Sequence, residues 1–446
     1  MESLAVQQTT PFAPHVNPQA PERGAELRDR GPERPDYLPL LTPIRGIAAL
    51  WVVFFHLPAY FLLPSIREYL LCRWLEAGYL ACDLFFVLSG FVLSHVYTAS
   101  FDRKVEFKTY IKFMYARFSR IYPLHAFVLL MFVLLEVVKW TVLYVAGLGI
   151  ASREQPFAGT HSPSSLAAQL FLLNGLGVSG QHSWNFPSWS ISTEWWAYAV
   201  FPFLVLLIPR LSVRSRVALS ILCLSGLYVL ESLHGDLRLN IAGGPAMFRC
   251  LFEFTLGMLV YTVYKGRAGR LNRWTTPALI LAPLAVAAAI FAGLPDTCVV
   301  LVACVTVLSA ALQGPGRLTT LLGSRCMTFL GEISYSVYLM QIFVFELLRK
   351  VSAVLHQRMA FGSGSPSIVW ETLFAAGVVA AVIGASTLTY RYVERPMQSA
   401  LRGWQKSRLY WRMGSTVAGL MPVIRRTVPA EFPLFRHLLR RLIAKP

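Results

Sequence analysis

The first apolar stretch of the chain, Leu41 to Leu63, contains an arginine and a histidine eleven residues apart, Arg45 and His56. A charged or titratable side chain is costly in hydrocarbon, so it usually faces a protein interior or a wet cavity and has a functional role. On a helix, eleven residues place both side chains on nearly the same face, roughly 16 Å apart along the axis. A cation near one membrane surface and an acid/base group in depth predict a site that is reached from two sides.

Two carboxylates begin later apolar stretches. Asp83 opens the second stretch, a few residues before Ser89-Gly90, a pair that allows close helix packing. In hydrocarbon this carboxylate needs a partner or water, so Asp83 is either a site residue or a cap near the membrane surface. Glu194 opens the fourth stretch. It either caps a helix, or as a buried acid it orients the histidine or positions an acceptor hydroxyl.

A pair of arginines precedes the third apolar stretch. Arg117 and Arg120 are three residues apart, so on a helix they share a face and form a two-pronged anion site. On the cytoplasmic side they could hold the phosphates of an acyl carrier such as coenzyme A. The alternative is a positively charged anchor at the cytoplasmic membrane surface.

Aromatic and hydroxyl side chains at the starts of two stretches are predicted to contact substrates. Trp189 and Ser192 precede Glu194, and Tyr335 and Tyr338 share a helix face at the start of the ninth stretch. Helix packing is the competing interpretation for the tyrosines. The longest outer loop, 148–188, also carries aromatic and amide groups that suit either sugar contacts or an interfacial aromatic belt.

The composition is that of a multi-span membrane protein. The 446 residues are 55% hydrophobic and 14% charged, whereas soluble domains carry about 25% charged residues. The net charge of +18 could suggest nucleic acid, but the charges fall between and after the apolar stretches, so no nucleic-acid partner is expected. The seven cysteines form no CxxC pair, so neither a metal site nor a disulfide framework is predicted.

Ten apolar stretches predict an all-α membrane bundle of about ten transmembrane helices. Lysines and arginines concentrate in alternate connections, which places both termini in the cytoplasm. Three segments follow: a disordered tail over 1–40, a membrane domain over 41–396, and a basic tail over 397–446 that contacts anionic lipid. The stretches lie at 42–63, 79–98, 121–146, 190–209, 217–233, 246–264, 276–292, 297–312, 328–348 and 368–390.

Six short motifs, taken in order, resemble the acyltransferase-3 family of integral membrane O-acyltransferases of carbohydrates. Each motif is unspecific by itself, and the ordered set is specific. The resemblance extends from about Leu40 to Pro396. The motifs are Arg45 with His56, Asp83 to Phe91, Arg117 to Pro123, Trp189 to Glu194, Ser334 to Leu339, and Glu394 with Pro396.

The resemblance implies a cytoplasmic acyl-CoA donor, a hydroxyl acceptor often on a cell-surface sugar, and His56 as the principal catalytic residue. It implies that Arg45, Arg117 and Arg120 serve the donor. One departure is visible: where the family often has a histidine after Tyr338, this chain has Gln341, which can form hydrogen bonds but cannot titrate near neutrality.

The leading hypothesis is a multi-pass protein of the cell inner membrane that transfers an acyl group, in the first instance acetyl, from acyl-CoA to a carbohydrate hydroxyl. His56 is then the general base or is itself acylated, Glu194 lies on the acceptor side, and Asp83 supports His56. Without a fused domain, transfer occurs in the membrane or needs a partner, such as a polysaccharide-assembly protein. The alternatives are a transporter or flippase of a lipid-linked sugar or acyl group, and a scaffold for polysaccharide synthesis.

Overall fold

The computed structural model describes residues 38–61, 71–145, 155–178, 183–234, 238–359 and 368–410. Within these ranges the chain is helical, with no β-strand, which confirms the predicted all-α class. The tails beyond them, 1–37 and 411–446, hold most of the predicted disordered N-terminal and basic C-terminal segments, and these two predictions therefore lie outside the described residues.

Fourteen α-helices form the described part of the chain. In order they are α1 Leu41–Tyr60, α2 Leu71–Glu76, α3 Ala81–Tyr97, α4 Phe107–Val145, α5 Pro163–Leu170, α6 Ser188–Leu207, α7 Val213–Leu233, α8 Gly244–Ala292, α9 Asp296–Leu312, α10 Arg317–Leu322, α11 Arg325–Glu332, α12 Ser334–Met359, α13 Ile368–Thr389 and α14 Arg395–Tyr410.

Eight helical segments in the described part of the chain are long and apolar enough to cross a membrane, and there are up to nine if a bent pair counts as one span. That pair is α11 with the first part of α12, which meet at 65°. The remaining predicted span corresponds to α9, whose 17 residues fall short of the length criterion. Within the described residues, each of the ten predicted stretches is therefore mainly helical, but one is broken and another is short.

Helix α8 contains two predicted spans in one helical segment. Its two apolar parts are Gly244–Gly266 and Leu271–Ala292. Near its start, Arg249 Nη2 donates to the Tyr79 carbonyl oxygen at 3.4 Å, and near its end Ile290 packs in the same apolar cluster as Tyr79. Since both ends lie near one residue, the segment reverses direction between its two apolar parts, as two antiparallel spans require.

Glycines allow the central helices to approach closely. A Cβ atom on Gly90 of α3 would lie 1.9 Å from the Phe254 carbonyl oxygen of α8, and one on Gly257 of α8 would lie 1.9 Å from the Val87 carbonyl oxygen of α3. No side chain fits at such distances, so the two backbones touch at these glycines. Small residues at helix interfaces are the usual means of packing inside membranes.

Candidate active site

One cavity lies among α1, α3, α4, α6 and α12, and we call it the Arg45 cavity. Its volume is about 160 Å³. All three predicted donor-binding residues, Arg45, Arg117 and Arg120, line it together with Glu194. Arg45 comes from a different helix than the other two, so tertiary packing converts a two-pronged basic motif into a three-arginine wall, as expected of an anion site.

An irregular helical turn fixes Arg120. The chain forms a π-helix over Tyr390–Glu394, between α13 and α14, and such turns are frequent at functional sites. It places the buried Glu394 carboxylate against Arg120, with which it forms an ion pair, and Ser336 donates a hydrogen bond to the same carboxylate at 2.7 Å. The Arg120 guanidinium also lies 5.2 Å from the centroid of the Tyr335 ring.

Arg117 is held less completely than Arg120. Its Nη2 donates to the Tyr97 hydroxyl at 3.0 Å, and its guanidinium lies 5.2 Å from the centroid of the same ring. Its Nε is buried and has no hydrogen-bond partner within the described ranges. A buried guanidinium donor without a partner is costly, so Arg117 retains a donor that a bound anion could satisfy.

Glu194 lies in the Arg45 cavity, whereas the sequence predicted it on the acceptor side, separate from the donor arginines. Tyr198, one turn further along α6, lines the cavity as well, and its hydroxyl accepts a hydrogen bond from Ser89 Oγ at 3.5 Å. The carboxylate is also close enough to Arg45 to interact with its charge. Three cations and one anion leave the wall of this cavity with a positive charge.

The deeper wall of the Arg45 cavity carries neutral polar groups. Tyr338 lines it, and its hydroxyl lies 2.7 Å from Ser190 Oγ and 3.5 Å from Cys82 Sγ. The same hydroxyl donates to the Pro187 carbonyl oxygen at 3.1 Å. Of the two tyrosines predicted as substrate contacts, both line the cavity, with Tyr335 beside Arg120 and Tyr338 beside Ser190.

His56 lies in a second, larger cavity of about 710 Å³, which we call the His56 cavity. The imidazole is buried, and its Nδ1 is 3.0 Å from the Val52 carbonyl oxygen one turn earlier. Aromatic rings surround it, with Phe55 at 4.8 Å and Phe186 at 6.0 Å between ring centroids. Tyr60 lines the same space.

Helices α1 and α12 each contribute lining residues to both cavities. On α1, Arg45 lines the first cavity and His56 the second. On α12, Tyr338 lines the first and Ile342, four residues later, lines the second. Four residues of helix correspond to a rise of about 6 Å, so the deep wall of the Arg45 cavity is about one helical turn from the His56 cavity. Access to this site from two sides stays a prediction.

Asp83 belongs to a buried cluster with two residues of α8. Its Oδ1 is 2.6 Å from Arg249 Nη2 and 2.7 Å from Arg249 Nε. Glu253, one turn after Arg249, is 3.5 Å from the same guanidinium, and all three side chains are buried. Arg249 therefore gives Asp83 the partner that a buried carboxylate needs, and the support of His56 by Asp83 stays a prediction.

Trp189 and Ser192, the other predicted substrate contacts, line neither the Arg45 cavity nor the His56 cavity. The Arg249 guanidinium lies 5.6 Å from the Trp189 ring centroid. Ser192 Oγ donates to the Leu172 carbonyl oxygen at 2.6 Å and accepts from the Gly175 amide at 3.0 Å. These contacts fix α6 against its neighbours.

Three site features are absent from the sequence predictions. The Asp83–Arg249 pair joins residues far apart in the chain, and the only local signal was Arg249 four residues before Glu253 in one apolar stretch. Cys82, next to Asp83 in the sequence, lines the Arg45 cavity. His161, from the loop before α5, lines the His56 cavity, and no sequence motif marks it.

The fold and the two cavities define a multi-span helical membrane protein with ionisable side chains gathered in two cavities. A family comparison makes this class specific. The model of the acyltransferase-3 family, described as an acyltransferase domain, matches residues 41–390. The chain belongs to this family, which confirms the resemblance drawn from the six motifs, and it is a membrane O-acyltransferase that transfers groups other than aminoacyl groups.

Two of three similar proteins with curated names are named as acyltransferases. The chain is 26% identical over 401 residues to acyltransferase MdmB of Streptomyces mycarofaciens, which covers 83% of this chain and 94% of that protein. It is 39% identical over 116 residues to protein 2 in picA locus of Rhizobium radiobacter, covering 26% of this chain and 51% of the relative. It is 22% identical over 211 residues to O-acetyltransferase OatA of Staphylococcus aureus, covering 45% and 31%. No solved structure matches the chain.

Proposed function

We propose that the protein transfers an acyl group from acyl-CoA to a hydroxyl of a cell-surface carbohydrate, with His56 as general base. Acetyl is the acyl group that we propose. The donor occupies the Arg45 cavity and the acceptor occupies the His56 cavity. The observation that carries the proposal is the convergence of three arginines on one cavity, about one helical turn from a second cavity that contains the buried histidine.

The charge of the Arg45 cavity supports a phosphate-bearing donor. Coenzyme A carries several phosphate charges, and guanidinium groups bind phosphate through strong charge-assisted hydrogen bonds. Arg117 offers a buried Nε donor that has no partner in the described part of the chain. The paired Arg120 is oriented by Glu394, so we infer that Arg117 and Arg45 contact the donor more directly than Arg120 does.

The polar groups at the deep wall suit the thioester end of the donor. The hydroxyls of Tyr338 and Ser190 lie 2.7 Å apart there, on the way from the arginines towards the His56 cavity. A hydroxyl at this depth can donate a hydrogen bond to the thioester oxygen, on which negative charge develops during attack. We assign this contact to Tyr338, whose O–H would turn from the Pro187 carbonyl oxygen to the thioester oxygen when the donor binds.

His56 has the tautomer that a general base needs. When the neutral ring donates its Nδ1–H to the Val52 carbonyl oxygen, its lone pair lies on Nε2, which can take a proton. In the direct route, the acceptor oxygen attacks the thioester carbonyl carbon while its proton moves to Nε2. The carbon–sulfur bond then breaks, and the thiolate of coenzyme A takes up the proton.

A second route uses the same residues in two steps. His56 Nε2 attacks the thioester carbonyl carbon, the carbon–sulfur bond breaks, and coenzyme A leaves as its thiolate. The acceptor hydroxyl oxygen then attacks the acyl carbon, the bond from that carbon to Nε2 breaks, and the hydroxyl proton goes to the thiolate. Glu194 serves both routes in the same way: its negative charge attracts the Arg45 guanidinium and holds it at the cavity wall. We therefore assign Glu194 to the donor side of the reaction.

We propose the inner membrane as the location, with the N-terminus in the cytoplasm. This orientation follows from the concentration of lysines and arginines in alternate connections. It puts the start of α1, and hence the Arg45 cavity, towards cytoplasmic acyl-CoA. The His56 cavity then faces the opposite side, where a carbohydrate, alone or presented by an assembly protein, would enter.

Labelled acetyl-CoA offered to inverted membrane vesicles tests the proposal against a transporter. The enzyme forms a covalently labelled carbohydrate ester, whereas a transporter moves substrate without a new ester. His56→Ala should abolish the ester while the protein still inserts. His234→Ala is the matched control, because His234 is an exposed histidine at the end of α7. Full ester formation by His56→Ala membranes would refute the assignment.

A further inference from the structure

A second histidine enters the His56 cavity from outside the transmembrane helices. His161 ends a single 3₁₀ turn, Gly159–His161, just before α5, and lines the cavity together with His56. It comes from the loop after α4. The chain thus has two imidazoles at one cavity, although it has Gln341 where the family motif often carries a histidine. Gln341 is buried, and its amide nitrogen bonds to Tyr338 of its own helix.

A buried carboxylate orients His161. Glu136 of α4 is 3% exposed, and its Oε1 lies 3.3 Å from His161 Nδ1. Its other oxygen accepts from the Phe157 amide at 3.2 Å and lies 3.7 Å from Lys139 Nζ. A carboxylate oxygen 3.3 Å from Nδ1 favours the neutral tautomer with its proton on Nδ1, which leaves the lone pair on Nε2. The Val52 carbonyl oxygen favours the same tautomer in His56, with the proton on Nδ1 and the lone pair on Nε2.

The loop around His161 is held in strained backbone conformations. Phe157 and Trp184 have positive φ angles, 55° and 43°, which bulky residues seldom adopt and which cluster at functional sites. Trp184 lines the cavity, packs edge-on against His161 at 5.0 Å between ring centroids, and donates its indole N–H to the Ser162 carbonyl oxygen at 3.1 Å. Strained backbone at Phe157 and Trp184 thus accompanies the placement of the His161 imidazole and the Trp184 indole at the cavity wall.

We propose that His161, held by Glu136, is an acceptor-binding residue whose Nε2 accepts a hydrogen bond from a hydroxyl of the acceptor. The inference rests on the proposed function, and it adds a residue that binds the carbohydrate and an expectation that the bound sugar unit is uncharged. The neutral Nε2 of His161 can accept a hydrogen bond from a sugar hydroxyl, and the rings of Trp184, Phe186 and Tyr60 can cover the apolar face of the sugar ring. This combination suits an uncharged sugar unit.

Several charged groups decide whether His161 stays neutral. Glu136 and Lys139 lie on α4, and Glu346 and Lys350 face it from α12; Arg349 and His56 line the same cavity. Burial lowers the pKa of His161, the Glu136 carboxylate opposes that shift, and Lys139 adds to it. Neutral His161 is therefore the form present near neutrality, and acid converts Nε2 from an acceptor into a donor.

The test measures ester formation by the full-length protein in membranes, with labelled acetyl-CoA and the carbohydrate fraction extracted from cells that lack the protein. His161→Ala should raise the carbohydrate concentration that gives half-maximal rate by about three- to tenfold, the value of one hydrogen bond. The acetyl-CoA concentration for half-maximal rate should not change. His161→Gln, whose amide oxygen can accept a hydrogen bond, should restore part of the loss, and His234→Ala should behave as wild type.

The pH profile separates acceptor binding from a structural role. In the wild type, the half-saturating carbohydrate concentration should rise as the pH falls below neutrality, and this rise should be absent from His161→Gln. Unchanged carbohydrate dependence in His161→Ala and His161→Gln would overturn the inference, as would equal changes for donor and carbohydrate together with a lower melting temperature. If His56→Ala forms no ester and the His161 variants behave as wild type, the proposed function stands and only the role of His161 is refuted. If His56→Ala keeps full activity, the proposed function itself is refuted.

Discussion

Replacement of Gly90 by alanine tests the packing that holds the two cavities in place. A Cβ atom at this position would lie 1.9 Å from the Phe254 carbonyl oxygen and 2.8 Å from its carbonyl carbon. Real Cβ contacts begin near 3.0 Å, so α3 and α8 must separate by about 1 Å. Overpacking of this kind costs about 1–3 kcal/mol. The better helix propensity of alanine offsets up to about 1 kcal/mol of that cost.

The separation of these helices has a second consequence. The Asp83–Arg249 ion pair joins the same two helices at 2.6 Å, so the shift also weakens a buried charge pair. We therefore expect Gly90→Ala to melt several degrees below the wild type in detergent micelles at a fixed scan rate. Gly377→Ala is the matched control, because no atom lies within 4 Å of the Cβ position of this helical glycine. A Gly90→Ala protein as stable as Gly377→Ala would refute the packing argument.

Three further predictions concern titratable side chains at the two cavities and between α3 and α8. Asp83→Ala should destabilise the protein by about 3–5 kcal/mol in chemical denaturation, since it leaves the Arg249 charge buried without its main partner; wild-type stability would contradict this. Glu394→Gln should raise the acyl-CoA concentration for half-maximal rate, because Arg120 loses the carboxylate that orients it; an unchanged value would remove Glu394 from the donor site. For His161, burial lowers the folded pKa below the unfolded value of about 6.5, so its contribution to stability is present above pH 6.5 and is lost as the pH falls. The melting temperature should thus decline less with acid in His161→Ala than in the wild type, and parallel curves would contradict this sign.

The sequence predicted those site residues that share one helix or one short motif. Arg117 and Arg120 follow from a spacing of three, and Arg45 and His56 from a spacing of eleven, because helix geometry alone fixes their common face. The all-helical membrane class followed from hydropathy, and the described helices confirm it. The location of both termini stays a prediction.

Contacts between distant segments could not be predicted in this way. Glu194 was expected near the acceptor, since its position at the start of an apolar stretch gives depth but not the neighbouring helices. Tertiary packing instead places it beside Arg45 and Tyr198. The partner of Asp83 is 166 positions away, and a single sequence has no signal for such a pairing. The π-helix that presents Glu394 to Arg120 depends on a local backbone irregularity that periodicity does not report.

The chemistry of the His56 cavity was the least predictable part. His161 and Trp184 reach it from a loop without helical periodicity, and their positions depend on the Glu136 carboxylate and on strained backbone at Phe157. The long loop, 148–188, was expected to suit either sugar contacts or an interfacial aromatic belt, and its Trp184 lines the His56 cavity.

Equilibrium binding of labelled acetyl-CoA to purified variants, measured beside ester formation, tests the central claim most directly. If the arginines bind the donor and His56 handles the proton, His56→Ala binds acetyl-CoA as the wild type does and forms no ester. Arg117→Ala then loses donor affinity by about tenfold or more, the value of a hydrogen bond to a charged group. Ester formation by His56→Ala, or wild-type donor affinity in Arg117→Ala, would contradict the account.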